Sequence, residues 1–248
     1  MSRIELLGIP IDRVTFAEAL EWLQSFLKDE GCQRHVVTPN SEMLAKSVRD
    51  PHFRHILHHT SLNLPDSTGL LWMARLTGQK FPERVAGVDT VQALCSSLNE
   101  STPVFLLGGR GNVARRTSHV LMKKNPRLNV VGVYEGSTDS QDAREIVRRI
   151  NDSKPHLLLV AYGAPQQDLW IEKYLLKMPS VRLAMGVGGT FDFIAGVQKR
   201  APVFLQRIGL EWLWRLIHEP KRFKRILNAI VVFPLLVLRY GRHAPTTP

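Results

Sequence analysis

Apolar residues along the chain fall into short runs, separated by longer stretches with helical spacing. Runs rich in Val, Leu and Ile predict strands over 4–9, 35–38, 62–64, 104–107, 130–134, 157–161 and 181–186. Between them the spacing predicts helices over 15–28, 41–49, 67–76, 90–98, 112–124, 140–151 and 166–177. The first helix opens on Thr15 with Glu18 three residues later, a pairing in which each side chain caps the other's backbone N–H. Regular alternation of strand and helix predicts an α/β fold, Rossmann-like and layered, around a mainly parallel sheet.

Ligands of such sheets bind in the loops at the carboxyl ends of the strands. Here those loops are Thr38-Pro39-Asn40-Ser41, Pro65-Asp66-Ser67-Thr68-Gly69, Gly108-Gly109, Tyr134-Glu135-Gly136, Gly163-Ala164-Pro165-Gln166-Gln167 and Gly186-Val187-Gly188-Gly189-Thr190. Polar and glycine-rich turns recurring at one end of successive strands suit a nucleotide or sugar-phosphate site. Beyond Thr190 the pattern changes to helical, aromatic and basic, with Pro220 marking a new helix start. The expected division is a catalytic body over 1–196 and an appendage over 197–248.

Charge sharpens that division. The chain of 248 residues carries a formal net charge of +11. From Lys199 onward, ten Lys or Arg stand against Glu211 and Glu219, so +8 lies in the tail and +3 in the 198 residues before it. A balanced body with a basic tail calls for an anionic partner: phosphate, anionic lipid or nucleic acid. Trp212, Trp214, Phe223 and Phe233 interleave with those charges, as in a segment lying on an anionic membrane surface, and no nucleic-acid-binding motif is present. The longest apolar run, 226–238, is short of a membrane span and contains Asn228 and Pro234. The opening residues carry no leader-like apolar core. A peripheral protein at the cytoplasmic side of a membrane is therefore expected. An apolar face on the appendage could also drive self-association off the membrane.

Each candidate residue has two readings. Asp66, between a strand and a helix, is either a helix cap or a general base that takes a proton from an acceptor hydroxyl. Asn40 can cap the next helix or bind a sugar hydroxyl, with Thr38 held extended by Pro39 beside it. Gly108, Gly109, Gly163 and Gly188 are either turns of positive φ or places where a phosphate approaches bare backbone; Tyr134 ends the strand between them. None of these clusters has the spacing of a Walker or dinucleotide loop. Gln167 could read a base edge or sugar hydroxyls, or simply occupy a first helical turn. Asp192, flanked by Phe191 and Phe193, needs a partner if buried, which a uracil imide or ribose hydroxyl would supply.

Cys32 and Cys95 lie far apart, which disfavours a disulfide framework or a zinc site. His55, His58 and His59 have no carboxylate nearby and fit a surface helix. No Asp-x-Asp appears, and no metal or cofactor is expected. Arginines must then meet the charge of any diphosphate. Arg215, Arg222 and Arg225 would share a face if their helix ran unbroken past Pro220.

Taken together, Thr38-Pro39-Asn40, Pro65-Asp66-Ser67-x-Gly69, Arg84-Val85-x-Gly87-x-Asp89, Gly163-x-Pro165-x-Gln167-x-x-Trp170, Gly186-x-Gly188-Gly189-Thr190-Phe191-Asp192 and Arg200-Ala201-Pro202 resemble the WecG/TagA/CpsF glycosyltransferases. The segment from Gly209 through Glu211, Arg215 and Glu219-Pro220 to Arg222 is similar to that family's C-terminal appendage. The resemblance implies inverting, metal-independent transfer from a UDP-sugar, typically UDP-N-acetylmannosamine or its uronate. The implied acceptor is undecaprenyl diphosphate-linked N-acetylglucosamine. It further implies Asp66 as the base, Thr38, Asn40 and Gln167 lining the sugar site, Arg84 nearby, and Arg215, Arg222 and Arg225 brought to the diphosphate by the membrane-docked appendage. Two other classes would fit the residues less completely: a sugar-nucleotide epimerase or hydrolase needing no acceptor, and a non-catalytic lipid-binding scaffold.

Overall fold

A computed structural model describes residues 2–245. Six parallel strands form the main sheet in the order β4-β3-β8-β7-β5-β6. They are β3 (Arg34–Val37), β4 (Leu62–Asn63), β5 (Val104–Gly108), β6 (Val130–Tyr134), β7 (Leu157–Ala161) and β8 (Leu183–Gly186). Helices cover both faces, so central strands such as β5 and β7 read as unbroken apolar runs rather than alternating ones. On one face lie α1 (Phe16–Lys28), α5 (Gly87–Ser97), α6 (Val113–Lys124) and α9 (Thr190–Ile194), joined through a core that includes Leu23, Leu94, Leu121 and Phe191. The other face carries α7 (Ser140–Ser153) and α8 (Gln166–Tyr174) around Ile146, Ile150, Trp170 and Ile171. The expected capping box is present: Thr15 accepts from the Glu18 N–H, and Glu18 accepts from the Thr15 N–H at 2.7 Å.

The helices leaving β5 and β7 cover opposite faces of the sheet, which opens a crevice between the carboxyl ends of these neighbouring strands. Successive carboxyl-end loops then form a row along one edge. From left to right they carry Asp66 (after β4), Thr38 (β3), Gly188 (β8), Gly163 (β7), Gly109 (β5) and the end of Tyr134 (β6).

The stretch 4–9, expected as one strand, is instead a hairpin. Strands β1 (Arg3–Leu6) and β2 (Ile9–Asp12) pair antiparallel, with Leu6 opposite Ile9. Leu7 and Gly8 both have positive φ, 54° and 71°, the backbone of a two-residue hairpin turn. Apolar residues on both sides of the turn hid it from the pattern. The hairpin is a separate sheet that covers the β4 edge: the Asn63 N–H donates to buried Asp12 at 2.7 Å, and Asn63 Nδ2 donates to the Pro10 carbonyl.

Around the hairpin a second core gathers α2 (Ser41–Ser47), α3 (Pro51–His59) and α4 (Thr68–Leu76). The last helix of the described residues joins it. After α10 (Val203–Arg207) and α11 (Glu211–His218) come a 3-10 turn over Pro220–Arg222, α12 (Phe223–Leu227), a π turn over Asn228–Val232 and α13 (Phe233–Tyr240). The break after His218 means that Arg215, Arg222 and Arg225 do not share one continuous helix, because Pro220 starts a new segment. Pro234 likewise lacks the N–H that an α-helical turn would use, which accounts for the wider turn preceding it. Phe233 and Val237 are buried with Leu6, Met43 and Leu70, and the Leu7 and Gly8 N–H groups donate to the carbonyls of Gly241 and Arg242. Among the described residues no helix is long and apolar enough to cross a membrane.

Candidate active site

Asp66 follows β4 on a loop fixed from two sides. Its N–H donates to the Pro39 carbonyl at 3.0 Å, and Ser41, after β3, is bonded to Ser67 through both its N–H and its hydroxyl. Ser67, not Asp66, caps α4 by accepting from the Leu70 N–H. That leaves the Asp66 carboxylate free of capping and turned to Arg84 and Gly87. Arg84 Nε donates to the Asp66 carbonyl at 2.6 Å, and a terminal guanidinium nitrogen stands 3.6 Å from Asp66 Oδ1. Gly87 opens α5; a methyl there would meet Thr38 Oγ1 at 3.3 Å and Asp66 Oδ2 at 3.6 Å. Thr38 and Asp66 thus flank one bare stretch of backbone at a helix N-terminus, where negative charge is favoured.

Burial pushes the Asp66 carboxyl up, Arg84 pulls it back, Glu211 adds repulsion and Arg215 a further opposing attraction; the balance leaves it at about 6. Such a group is largely ionised at neutral pH yet basic enough to accept a proton. Glu211 itself accepts from Arg84 at 3.0 Å and from Arg215 at 2.8 Å. Burial opposes its ionisation, but the two arginines outweigh that and hold its carboxyl below the usual range.

Asn40 caps α2 through Oδ1, which accepts from the Met43 N–H at 3.0 Å. Gln167 joins two of the glycine loops, its Oε1 accepting from the Gly163 N–H at 3.1 Å and the Gly188 N–H at 2.8 Å. It is buried, so its role in the fold is to hold those turns together. Gly163 and Gly188 both have positive φ. Gly108 does too, and it packs so closely on β7 that a methyl would stand 2.9 Å from the Ala161 carbonyl carbon. Gly109 turns toward the N-terminus of α6. Tyr134 ends the far edge strand, five strand spacings or roughly 24 Å from β4, with the Arg149 guanidinium 4.5 Å above its ring. It stands apart from the group around Asp66.

Asp192, in α9, is half-buried; burial raises its carboxyl while Arg222 lowers it and Glu219 raises it. Arg222 pairs with Glu219 at 2.5 Å, and Arg215 lies 5.0 Å over the Phe193 ring. Arg225 donates to both oxygens of Glu42 at 2.9 and 3.0 Å, on the helix that follows Thr38 and Asn40. Although they sit on separate segments, these three arginines converge: Arg215 and Arg225 both disfavour the charge on Arg222.

Several partners were not singled out as site residues. Glu211, Glu42 and Glu219 hold the three tail arginines, and Asp89 grips Arg200 bidentately, with one bond of 2.7 Å. Glu211 lies in the tail segment four residues from Arg215, a helical ion-pair spacing; its reach to Arg84 has no sequence signal. Among the described residues, no group of three or more His, Cys, Asp or Glu is gathered as a metal site requires. The His55 and His59 rings lie 4.0 Å apart on α3, tilted by 32° to each other.

A family model for "Glycosyl transferase WecG/TagA/CpsF family" matches residues 4–246, nearly the whole chain. The chain belongs to the WecG/TagA/CpsF glycosyltransferase family. Three curated relatives share the name N-acetylglucosaminyldiphosphoundecaprenol N-acetyl-beta-D-mannosaminyltransferase. One from Bacillus spizizenii is 30% identical over 239 residues, covering 94% of this chain and 91% of the relative. Another, from Bacillus subtilis, is 29% identical and covers 96% and 92%. A third, from Staphylococcus aureus, is 26% identical and covers 97% and 94%. In this glycosyltransferase the matched span takes in both the α/β body and the basic tail.

Proposed function

We propose that this glycosyltransferase moves N-acetylmannosamine, its uronate or a related hexose from UDP to a polyprenyl diphosphate-linked N-acetylglucosamine, with inversion and without a metal, in building a cell-envelope polymer. The observation that carries this reading is the Asp66 carboxylate, raised to about 6 and set between Thr38 and Arg84 where the basic tail closes over the cleft. The relatives' shared name supports the acceptor and the β-linked product.

In this mechanism Asp66 removes the proton from the acceptor hydroxyl. The oxygen attacks the anomeric carbon from the side opposite UDP, and the bond to the diphosphate breaks with its electron pair leaving on UDP. A single carboxylate suffices for one displacement, and an α-linked donor yields a β-linked product. The donor diphosphate would lie along the glycine loops at Gly108, Gly109, Gly163 and Gly188, whose backbone approaches closely, with Gln167 bracing two of them. Asp192, and more remotely Tyr134, are the proposed contacts for the nucleoside. Thr38 and Asn40 would contact the sugar. Arg215, Arg222 and Arg225 supply positive charge for the acceptor diphosphate, in place of a divalent ion.

The same tail exposes Phe204, Ile217, Leu235 and Leu238 near Lys221, Lys224 and Arg239, the mixture that favours an anionic membrane surface. We place the enzyme peripherally on the cytoplasmic face of the inner membrane, with self-association available off the membrane. The test is the anomeric configuration of the product made from UDP-N-acetylmannosamine and a short-chain diphosphate acceptor, read by NMR. A β linkage supports the reading. Retention, or consumption of the donor without any acceptor, opposes it.

A further inference from the structure

Glu211 sits at the start of α11 with its side chain largely buried, and its two oxygens serve different arginines. Oε2 accepts from the Arg84 guanidinium at 3.0 Å, and Oε1 accepts from Arg215 at 2.8 Å. Arg84 is meanwhile bonded through Nε to the Asp66 carbonyl at 2.6 Å, while its closest approach to the Asp66 carboxylate is the longer 3.6 Å. One guanidinium therefore stands between two carboxylates and makes its short side-chain bond to Glu211. Charge-assisted bonds of that length are the strong ones. Were Glu211 absent, Arg84 would be free to swing the short distance to Asp66 and neutralise it.

We propose that Glu211 is a positioning residue for the transfer: it holds Arg84 off the Asp66 carboxylate and ties it to Arg215, so that the tail and the base act as one unit. This rests on the transfer reading above. The charged groups around Asp66 are Arg84 beside it, Glu211 and Arg215 from α11, and Arg200, which is gripped by Asp89 from α5. Glu211 and Arg215 act on Asp66 with opposite signs, since the first disfavours its negative charge and the second favours it.

The experiment is the pH dependence of kcat/KM for acceptor-dependent UDP release by the full chain, comparing the wild type with Glu211→Gln and Arg215→Gln. In Glu211→Gln the limiting rate is expected to fall about tenfold or more, and the acid limb to move to lower pH. In Arg215→Gln the limb is expected to move the other way. An acid limb that stays in place in Glu211→Gln, whatever the loss of rate, overturns the proposal, because a merely structural residue would lower activity without moving the limb. Should Glu211→Gln fail to fold, Arg215→Gln decides alone: a limb that is unmoved or moves to lower pH overturns the role. A wild type without acceptor-dependent release defeats the transfer reading and this role with it. A working wild type with both limbs unmoved defeats the role of Glu211 and leaves the transfer reading standing.

Discussion

Asp66 is placed where its own ionisation is unfavourable, and that has consequences for both activity and stability. Its folded-state carboxyl titrates at about 6, above the ordinary value of 3.8. The folded protein thus binds a proton there more readily than the unfolded chain, and stability contributed by this group is lost as pH rises from about 4 through about 6. Replacing Asp66 by Asn should remove that penalty: thermal unfolding at pH 7.5 is expected to shift upward, corresponding to a free energy of about 3 kcal/mol. At pH 4 the gain should vanish. The same variant should lose about 10²-fold or more in transfer rate, the scale of a missing general base. Sequence made Asp66 and Thr38 visible because their loops stand at strand ends, whereas Arg84, between α4 and α5, was visible only through the family pattern. It did not reveal that Asp66 leaves the capping to its neighbour, since Ser67 competes for the same helix end and only the folded backbone decides between them. Glu211 and Glu42 stayed hidden for a related reason: their partners lie 127 and 183 positions away.

At the scale of elements, alternation of strand and helix was legible almost throughout, because a parallel sheet covered on both faces writes itself as separated apolar runs. The hairpin was not. Its strands are short, and the turn at Leu7–Gly8 carries no polar residue to mark it. The loops after β7 and β8 show how elements are locked to each other. A methyl on Gly186 would collide with Asp168 Oδ1 and come within 2.6 Å of Gln167 Nε2, both on α8. Gly186→Ala is therefore expected to cost about 1–3 kcal/mol, measured by denaturant unfolding. Gln167→Ala leaves two loop N–H groups without their shared acceptor, at a cost of about 1–3 kcal/mol. If those loops carry the donor, its KM for UDP-sugar should rise more than its kcat falls; a pure stability loss would leave KM unchanged.

Across the whole molecule, the tail has two kinds of attachment. Residues 211–225 approach the cleft through carboxylate–arginine pairs, whereas 226–241 return to the body through apolar burial and backbone bonds to the hairpin. Phe233→Ala should accordingly destabilise the fold by about 3–5 kcal/mol, read by chemical denaturation, although Phe233 lies far from the candidate base in sequence. Basic composition announced this tail clearly, but composition has no bearing on which half lines the cleft and which half fills a core. Its exposed apolar and basic side chains lead to the expectation that the full chain co-sediments with vesicles rich in anionic lipid and is released as salt rises. Tight sedimentation with neutral vesicles at any salt would contradict that. The claim on which the rest depends is base-assisted transfer at Asp66. Its most direct test is UDP release from UDP-N-acetylmannosamine, with and without a short-chain diphosphate N-acetylglucosamine acceptor, in EDTA, for wild type and Asp66→Asn side by side. Release that requires the acceptor, persists in EDTA and collapses in the variant is the expected result. Undiminished release by Asp66→Asn would contradict it.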